Sequence, residues 1–484
     1  MRFALRFSLR GALPTACALA LTTLPAAAGD PSWNRFRGPN GSGILETGPL
    51  PAVLGPEENL AWRTPLAPGY SSPVLGDDAV FLTGAQGTEL YTYCVDRATG
   101  AVRWRVAGPE PLEDAPRGPN SPVSPTPATD GTNVYVFFPS FGLVSYDGGG
   151  DERWRLPLGP FVTPYGMGTS PVLAGDLLVL QCDQDTDSYL VAVERDSGAV
   201  RWKTARPGAT HGFSTPVLYE PEEGPAELIV SGSYRVTGYD LASGEELWWV
   251  GGMAWQSKTL PVVGDGVLFV HSWMASPAEI GAPRLSAPWE ETLADHDADG
   301  DGLLSKEEAD ALGLARVWFL YDLDQDGSMD AGEWGIALAR STAKSGLYAI
   351  RLGGRGDVTE SHLLWRHGRS LPNIPSPVHY RGVLYVLKEG GILTALDPAT
   401  GEVHRAGRVE GAQDPYFASP VAADGRLFLA SHEGRLAVLE AGPEWEVTSV
   451  SELGEEIWAT PALAGGQVFV RTQEALYCFE RRSV

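Results

Sequence analysis

Short apolar runs set off by Gly- and Asp-bearing turns recur along the 484-residue chain at a near-constant spacing. Each run follows a Ser/Thr-Pro pair. The prolines are Pro73, Pro127, Pro171, Pro216, Pro377, Pro420 and Pro461, with Leu260-Pro261 as a degenerate eighth copy. Successive intervals are 54, 44, 45, 45, 116, 43 and 41 residues, so one long gap interrupts a regular series. The copies also end alike: Asp96 to Gly100 leads to Trp104, Glu194 to Gly198 leads to Trp202, and Asp240 to Gly244 leads to Trp248. Gly150 with Trp154 keeps this spacing, and Asp397 to Gly401 keeps the turn with Arg405 in place of Trp. Asp caps such a turn, Gly takes its left-handed position, and Trp anchors the outgoing strand between neighbouring sheets.

A unit of about 45 residues with four short strands is a propeller blade. The predicted fold is therefore all-β, an eight-bladed propeller. The last copy, Thr460 to Glu480, stops before its Trp strand, whereas Leu60-Ala61-Trp62-Arg63 near the start is an orphan strand of that kind. The N-terminal strand should close the ring as the outer strand of blade eight and leave no exposed edge. An open β-solenoid, the alternative, needs no such complementary ends.

The long gap holds different chemistry. Asp297, Asp299, Asp301, Gly302, Leu303, Ser305 and Glu308 occupy positions 1, 3, 5, 6, 7, 9 and 12 of the EF-hand loop template, and Asp322, Asp324, Asp326, Gly327, Ser328, Asp330 and Glu333 occupy them again. Calcium takes hard oxygens: three short Asp side chains, a backbone carbonyl from Leu303 or Ser328, and a closing Glu. Glycine at the sixth position permits the sharp turn. Leu304 and Met329 suit a short strand pairing the loops, and Ala309 to Tyr321 is expected to form one shared helix. Two bound Ca2+ ions are expected. With only five Met in the chain, a structural brace fits better than a sensor groove. The expected organisation is a leader at residues 1–28, propeller at 29–274, an inserted EF-hand pair with tethers at 275–344 in blade five, and the rest of the propeller at 345–484.

Arg2, Arg6 and Arg10, an apolar stretch and Ala26-Ala27-Ala28 read as a secretory signal peptide cut after Ala28, which places the chain in the periplasm or outside the cell. With those three Arg removed, 33 basic residues face 61 acidic ones, a net charge of -28. Nucleic acid is excluded as a partner on this ground. Cys94, Cys182 and Cys478 are odd in number and lack CxxC spacing, so buried strand residues are expected rather than a disulfide framework. A monomer without a membrane-spanning segment is the expectation.

The repeat residues resemble the pyrroloquinoline-quinone-like propeller family, which includes the quinoprotein alcohol dehydrogenases and the propeller lipoprotein of the outer-membrane barrel-assembly machine. The opening Trp33-Asn34-Arg35-Phe36-Arg37-Gly38-Pro39-Asn40-Gly41 is similar to the start of many secreted bacterial members. In the dehydrogenases, adjacent cysteines lie over the quinone while Glu, Asn and Asp side chains hold calcium. This chain has no adjacent cysteines and no matching acidic set, so the resemblance implies a non-catalytic protein that binds a protein or envelope polymer. A quinone-dependent oxidoreductase is the second reading. Nothing resembles a GxSxG elbow, an HExxH helix or a P-loop. Loops entering the blades converge on the ring axis, and they carry Tyr70, Asn120, Tyr165, His211, Trp255, Gln256, Lys258, Asn373, Tyr416 and Trp458 as candidate ligand-binding residues. His211 shows no carboxylate partner in sequence, which favours a structural role.

Overall fold

The computed structural model describes residues 32–113, 120–163, 165–274 and 282–481. The predicted leader at 1–28 and the start of the first tether, from 275, lie outside them. Eight antiparallel sheets follow one another, each with its four strands in sequence order except where noted. Blade one comprises Val74–Leu75, Ala79–Gln86, Glu89–Asp96 and Val102–Ala107. In the last sheet, the strand Leu60–Pro65 pairs with Ala475–Glu480, bringing Trp62 opposite Cys478. The ring is thus closed by its N-terminal strand, as the orphan Trp strand predicted.

The three inner strands of each blade are almost wholly buried, while the outer strand alternates; Val102–Ala107 buries only every second position in part. The core accordingly lies between adjacent sheets rather than in one centre, with Val136, Val144 and Phe138 of blade two packed on Phe81 and Cys94 of blade one. Cys94, Cys182 and Cys478 are free and buried, each in a different sheet.

The tryptophans lock neighbouring blades together. Trp104 Nε1 donates to the Gly148 carbonyl at 2.9 Å, Trp154 to Arg195 at 2.8 Å, Trp202 to Leu241 at 3.0 Å, Trp365 to Pro398 at 3.1 Å, and Trp62 to Arg97 at 3.1 Å. Each indole also lies flat on the turn glycine of the next blade, at Gly150, Gly198, Gly244, Gly401 and Gly100 respectively, and all five glycines have positive φ. Aspartates cap these turns as expected; Asp96 Oδ1 accepts from Ala98 N and Thr99 N. Trp248 departs from the pattern. Its Nε1 donates to Glu227 Oε2 within its own sheet, at 2.7 Å, because a parallel strand Gly356–Asp357 adds to the edge where the next turn would dock.

A second inter-blade device comes from the Ser/Thr-Pro pairs. Ser72 N donates to Thr126 Oγ1, Thr126 N to Ser170 Oγ, Ser170 N to Thr215 Oγ1, Ser376 N to Ser419 Oγ, Ser419 N to Thr460 Oγ1 and Thr460 N to Ser72 Oγ, each at 2.9–3.0 Å. Leu260 N joins the belt as a donor to Ser376 Oγ at 3.0 Å, but its own side chain has no oxygen to accept from Thr215. The belt breaks at the degenerate copy, the same junction at which Trp248 fails to dock.

The Trp33–Leu50 segment reaches across several blades. Its backbone bonds to Leu75 and Ala422, its Asn40 side chain bonds both ways with Leu218, and buried Arg37 donates to the Pro377 carbonyl at 2.8 Å. Arg35, also buried, donates to the Pro216 carbonyl. With Thr129 N donating to the Asn34 carbonyl at 2.8 Å, one short segment ties blades one, two, four, six and seven.

The segment between the second and third strands of blade five contains helix α1 (Trp289–His296), two 3-10 helices (Glu308–Leu312 and Ala315–Leu320) and helix α2 (Ala331–Thr342). The single shared helix expected over Ala309 to Tyr321 is broken. Gly313 takes φ 77° and ends the first helix, and Val317 at φ -119° kinks the second. The end of the first tether packs onto α2: Leu285 N donates to Ser341 Oγ at 3.0 Å, and Trp334 Nε1 to the Ala287 carbonyl at 3.0 Å.

Candidate functional site

Two regions concentrate polar side chains: the paired acidic loops and the cavity on the ring axis. In the first acidic loop, oxygens of Asp297, Asp299 and Asp301 lie within 4.8 Å of one another; in the second, those of Asp322, Asp324 and Glu333 do. The loops meet through a two-stranded pairing of Leu304 with Met329. Asp322 Oδ1 is buried without a partner. Burial, with Asp324 and Asp330 beside it, pushes the Glu333 carboxyl up to about 7. Such a crowd of carboxylates favours a cation among them. Glu308 instead accepts from Ser305 N, Ser305 Oγ and Ala298 N, bonds that hold it down at about 2. Asp330 and Glu333 form a capping box at the start of α2, with Glu333 N donating to Asp330 Oδ1 at 2.9 Å. Asp326 Oδ1 accepts from Ser328 N. Leu303 and Ser328 stand at the seventh position, where the template takes its ligand from the backbone carbonyl.

The axial cavity encloses about 490 Å3. Tyr70, Asn120, Tyr165, Gln256, Lys258, Asn373 and Trp458 line it, which brings together seven of the ten loop residues singled out from sequence. Trp458 stacks between two rings, Tyr70 at 4.6 Å and Phe417 at 4.3 Å, with interplanar angles of 17° and 9°. Lys258 Nζ donates to Asn373 Oδ1 at 2.6 Å, and burial lowers the ammonium to about 8. None of the lining residues is acidic.

Three expected residues do not line the cavity. Tyr416 is fully buried and its hydroxyl donates to the Ala412 carbonyl at 2.9 Å, so it braces its own loop. His211 sits behind Tyr165 with ring centroids 5.6 Å apart, and it has a carboxylate partner invisible in sequence: its Nε2 lies 2.8 Å from Asp185 Oδ1. Trp255 packs on His211 at 4.6 Å, and the Arg340 guanidinium of α2 lies 4.0 Å from its ring centre. With Lys344 N donating to the Gly252 carbonyl at 3.0 Å, that stack joins the inserted segment to the propeller. Sequence reasoning missed Phe36, Phe213 and Phe417, and also the belt hydroxyls of Ser72, Thr126, Ser170 and Thr460, all of which line the cavity. The Ser/Thr-Pro repeat carried that signal, because a residue recurring once per blade at the start of the innermost strand must ring the axis.

Fold and site together define a propeller of the pyrroloquinoline-quinone-like repeat class. The model of the family described as outer membrane protein assembly factor BamB matches residues 52–163 and 337–483, and the chain belongs to that family. No curated protein matches the chain. Among solved structures it is similar to BamB from Moraxella catarrhalis, at 11% identity over 87% of this chain and 99% of that one, with a TM-score of 0.55. It is similar to a europium-containing methanol dehydrogenase at 10% identity, covering 91% of this chain and 89% of that one, with a TM-score of 0.56. The quinohemoprotein alcohol dehydrogenase from Comamonas testosteroni matches at 11% identity over 95% and 82% of the two chains, with a TM-score of 0.57. At such identities the likeness is one of fold, and function rests on the site itself.

Proposed function

We propose that this protein is an extracytoplasmic, non-catalytic binding propeller that takes a protein or envelope polymer at its axial cavity and is braced by two calcium ions. The observation that carries the reading is the composition of the cavity wall: stacked rings and neutral polar groups, one cation and no carboxylate. Among the described residues, Lys258 has no carboxylate, histidine or cysteine beside it on the wall to share general acid–base work, and an aromatic wall with scattered polar groups suits recognition instead. A quinone with bound calcium fits these residues poorly. No lining carboxylate would hold the ion, and the three described cysteines are buried singly in separate sheets.

The acidic loops support the calcium part of the reading through their full template match, the convergence of three carboxylates in each, and the orphaned Asp322 oxygen. When bound, calcium supplies charge neutralisation that lets both loops hold their turns.

Pull-down from envelope extracts, with and without chelator, tests the binding role; recovery of a discrete polymer or protein supports it. Stoichiometric uptake of added quinone and calcium with alcohol-dependent dye reduction would establish the oxidoreductase reading instead. Calorimetric calcium titration tests the brace: Asp297→Ala with Asp322→Ala should abolish the heat of binding while the propeller keeps its strand circular dichroism. Unchanged heat in the double variant refutes it.

A further inference from the structure

The axial cavity is rich in hydrogen-bond donors that no protein group uses. Each belt hydroxyl spends a lone pair on the neighbouring blade's backbone N–H, and its own O–H has no protein acceptor among the described residues: this holds for Ser72, Thr126, Ser170 and Thr460, all nearly fully buried and all on the cavity wall. Ser124, on the same wall, has a buried hydroxyl with no partner of any kind. Lys258 spends one of its three N–H donors, on Asn373 Oδ1. Glu389, the carboxylate nearest to acting on it, accepts from Asn373 N and does not form an ion pair with the ammonium. Buried donors left without acceptors are costly, and the cost falls when an acceptor enters.

What enters must accept several hydrogen bonds at once and carry negative charge to answer the ammonium. A carboxylate does both, with two oxygens and about four lone-pair sites. The Tyr70–Trp458–Phe417 stack lines the same cavity and offers apolar area for a flat ring. The cavity volume of about 490 Å3 falls within the range of roughly 300–1,000 Å3 usual for small-ligand sites, and at that size it holds a chain end rather than a folded element.

We infer that the axial cavity is a carboxylate-binding site, built to take an aromatic group that bears a free carboxylate, from either a peptide C-terminus or a small aromatic acid. The inference rests on the binding role proposed above and names the ligand chemistry of that same cavity. The chain's formal net charge of -25 repels anions at long range, so the short-range donor set must supply the attraction for a carboxylate.

The test is calorimetric titration of the full chain with three probes: N-acetyl-Ala-Tyr-Phe as the free acid, the same tripeptide as its C-terminal amide, and 3-phenylpropionate. The free acid should bind about tenfold to a hundredfold more tightly than the amide, the ratio expected for one charge-assisted hydrogen bond. Lys258→Met should remove most of that difference, and Ser124→Ala, which breaks no side-chain hydrogen bond, should weaken the acid and spare the amide. Phenylpropionate binding as tightly as the tripeptide assigns the small acid; much weaker binding assigns the peptide end. Equal affinity for acid and amide overturns the carboxylate assignment and leaves the binding role standing. Absence of binding by all three probes also overturns the assignment, and the envelope pull-down then decides the binding role separately.

Discussion

Gly198→Ala measures what the tryptophan lock between blades contributes. Gly198 sits at φ +72°, and a Cβ there would lie 2.6 Å from Trp154 Cε3 and 2.8 Å from Cδ2. Two costs add: left-handed backbone in a residue with a Cβ, about 1–2 kcal/mol, and overpacking against a rigid indole, about 1–3 kcal/mol. The expected loss is therefore about 2–5 kcal/mol. Gly175→Ala supplies the control, since Gly175 has φ +62° and a Cβ there would meet nothing within 4 Å. Only the backbone cost, about 1–2 kcal/mol, should appear there. Both substitutions change the unfolded chain alike, so that contribution cancels in the comparison. A third variant, Trp154→Ala, should cost about 3–5 kcal/mol by itself, through lost burial and the lost 2.8 Å bond to Arg195. In that background Gly198→Ala should fall to the control value, leaving a coupling of about 1–3 kcal/mol. Urea unfolding followed by far-ultraviolet circular dichroism gives the midpoints, with constant slope as the condition for comparing them. Equal losses at Gly198 and Gly175, or strict additivity with Trp154→Ala, would refute the idea that the indole face locks the blades.

Acid stability should depend on His271, which is buried with neither ring nitrogen partnered and is held down to about 3 by burial and then by Lys258. Folding keeps the ring neutral while the unfolded chain takes up a proton near 6.5, so this contribution is present above pH 6.5 and is lost as pH falls toward 3, by at most about 4–5 kcal/mol. His271→Leu should flatten that limb in denaturation midpoints measured from pH 7 to pH 4, and an unchanged slope counts against it. Arg340→Ala removes the guanidinium 4.0 Å from the Trp255 ring, a desolvated contact of about 2 kcal/mol. Scanning calorimetry in calcium should then show the inserted segment melting apart from the propeller; a single shared transition in the variant argues that other contacts carry the coupling. Leu260→Thr offers Thr215 N the acceptor it lacks, yet removes apolar area packed on Gly41; we expect no net gain in the midpoint, and a clear rise would mean the belt outweighs packing at that junction.

The chain's repeat pattern determined the number of blades, the closing strand and the site of interruption, because each of those depends on spacing along the sequence. Ser/Thr-Pro pairs and Gly-to-Trp intervals recur once per sheet, and an unpaired first strand has a single vacant edge to fill. The acidic template was equally legible, since its oxygens lie within twelve consecutive residues. Seven of the ten candidate residues line the cavity because they sit in the loops that enter the innermost strands. Tertiary structure alone decided the rest. Asp185 reaches His211, Arg340 reaches Trp255 and the Trp33–Leu50 segment ties several blades through contacts between residues far apart in the chain. The donor-lined wall depends on how eight sheets are disposed about one axis, because a hydroxyl's role as belt acceptor or cavity donor is set by its neighbours across the ring and not by the residues beside it in sequence.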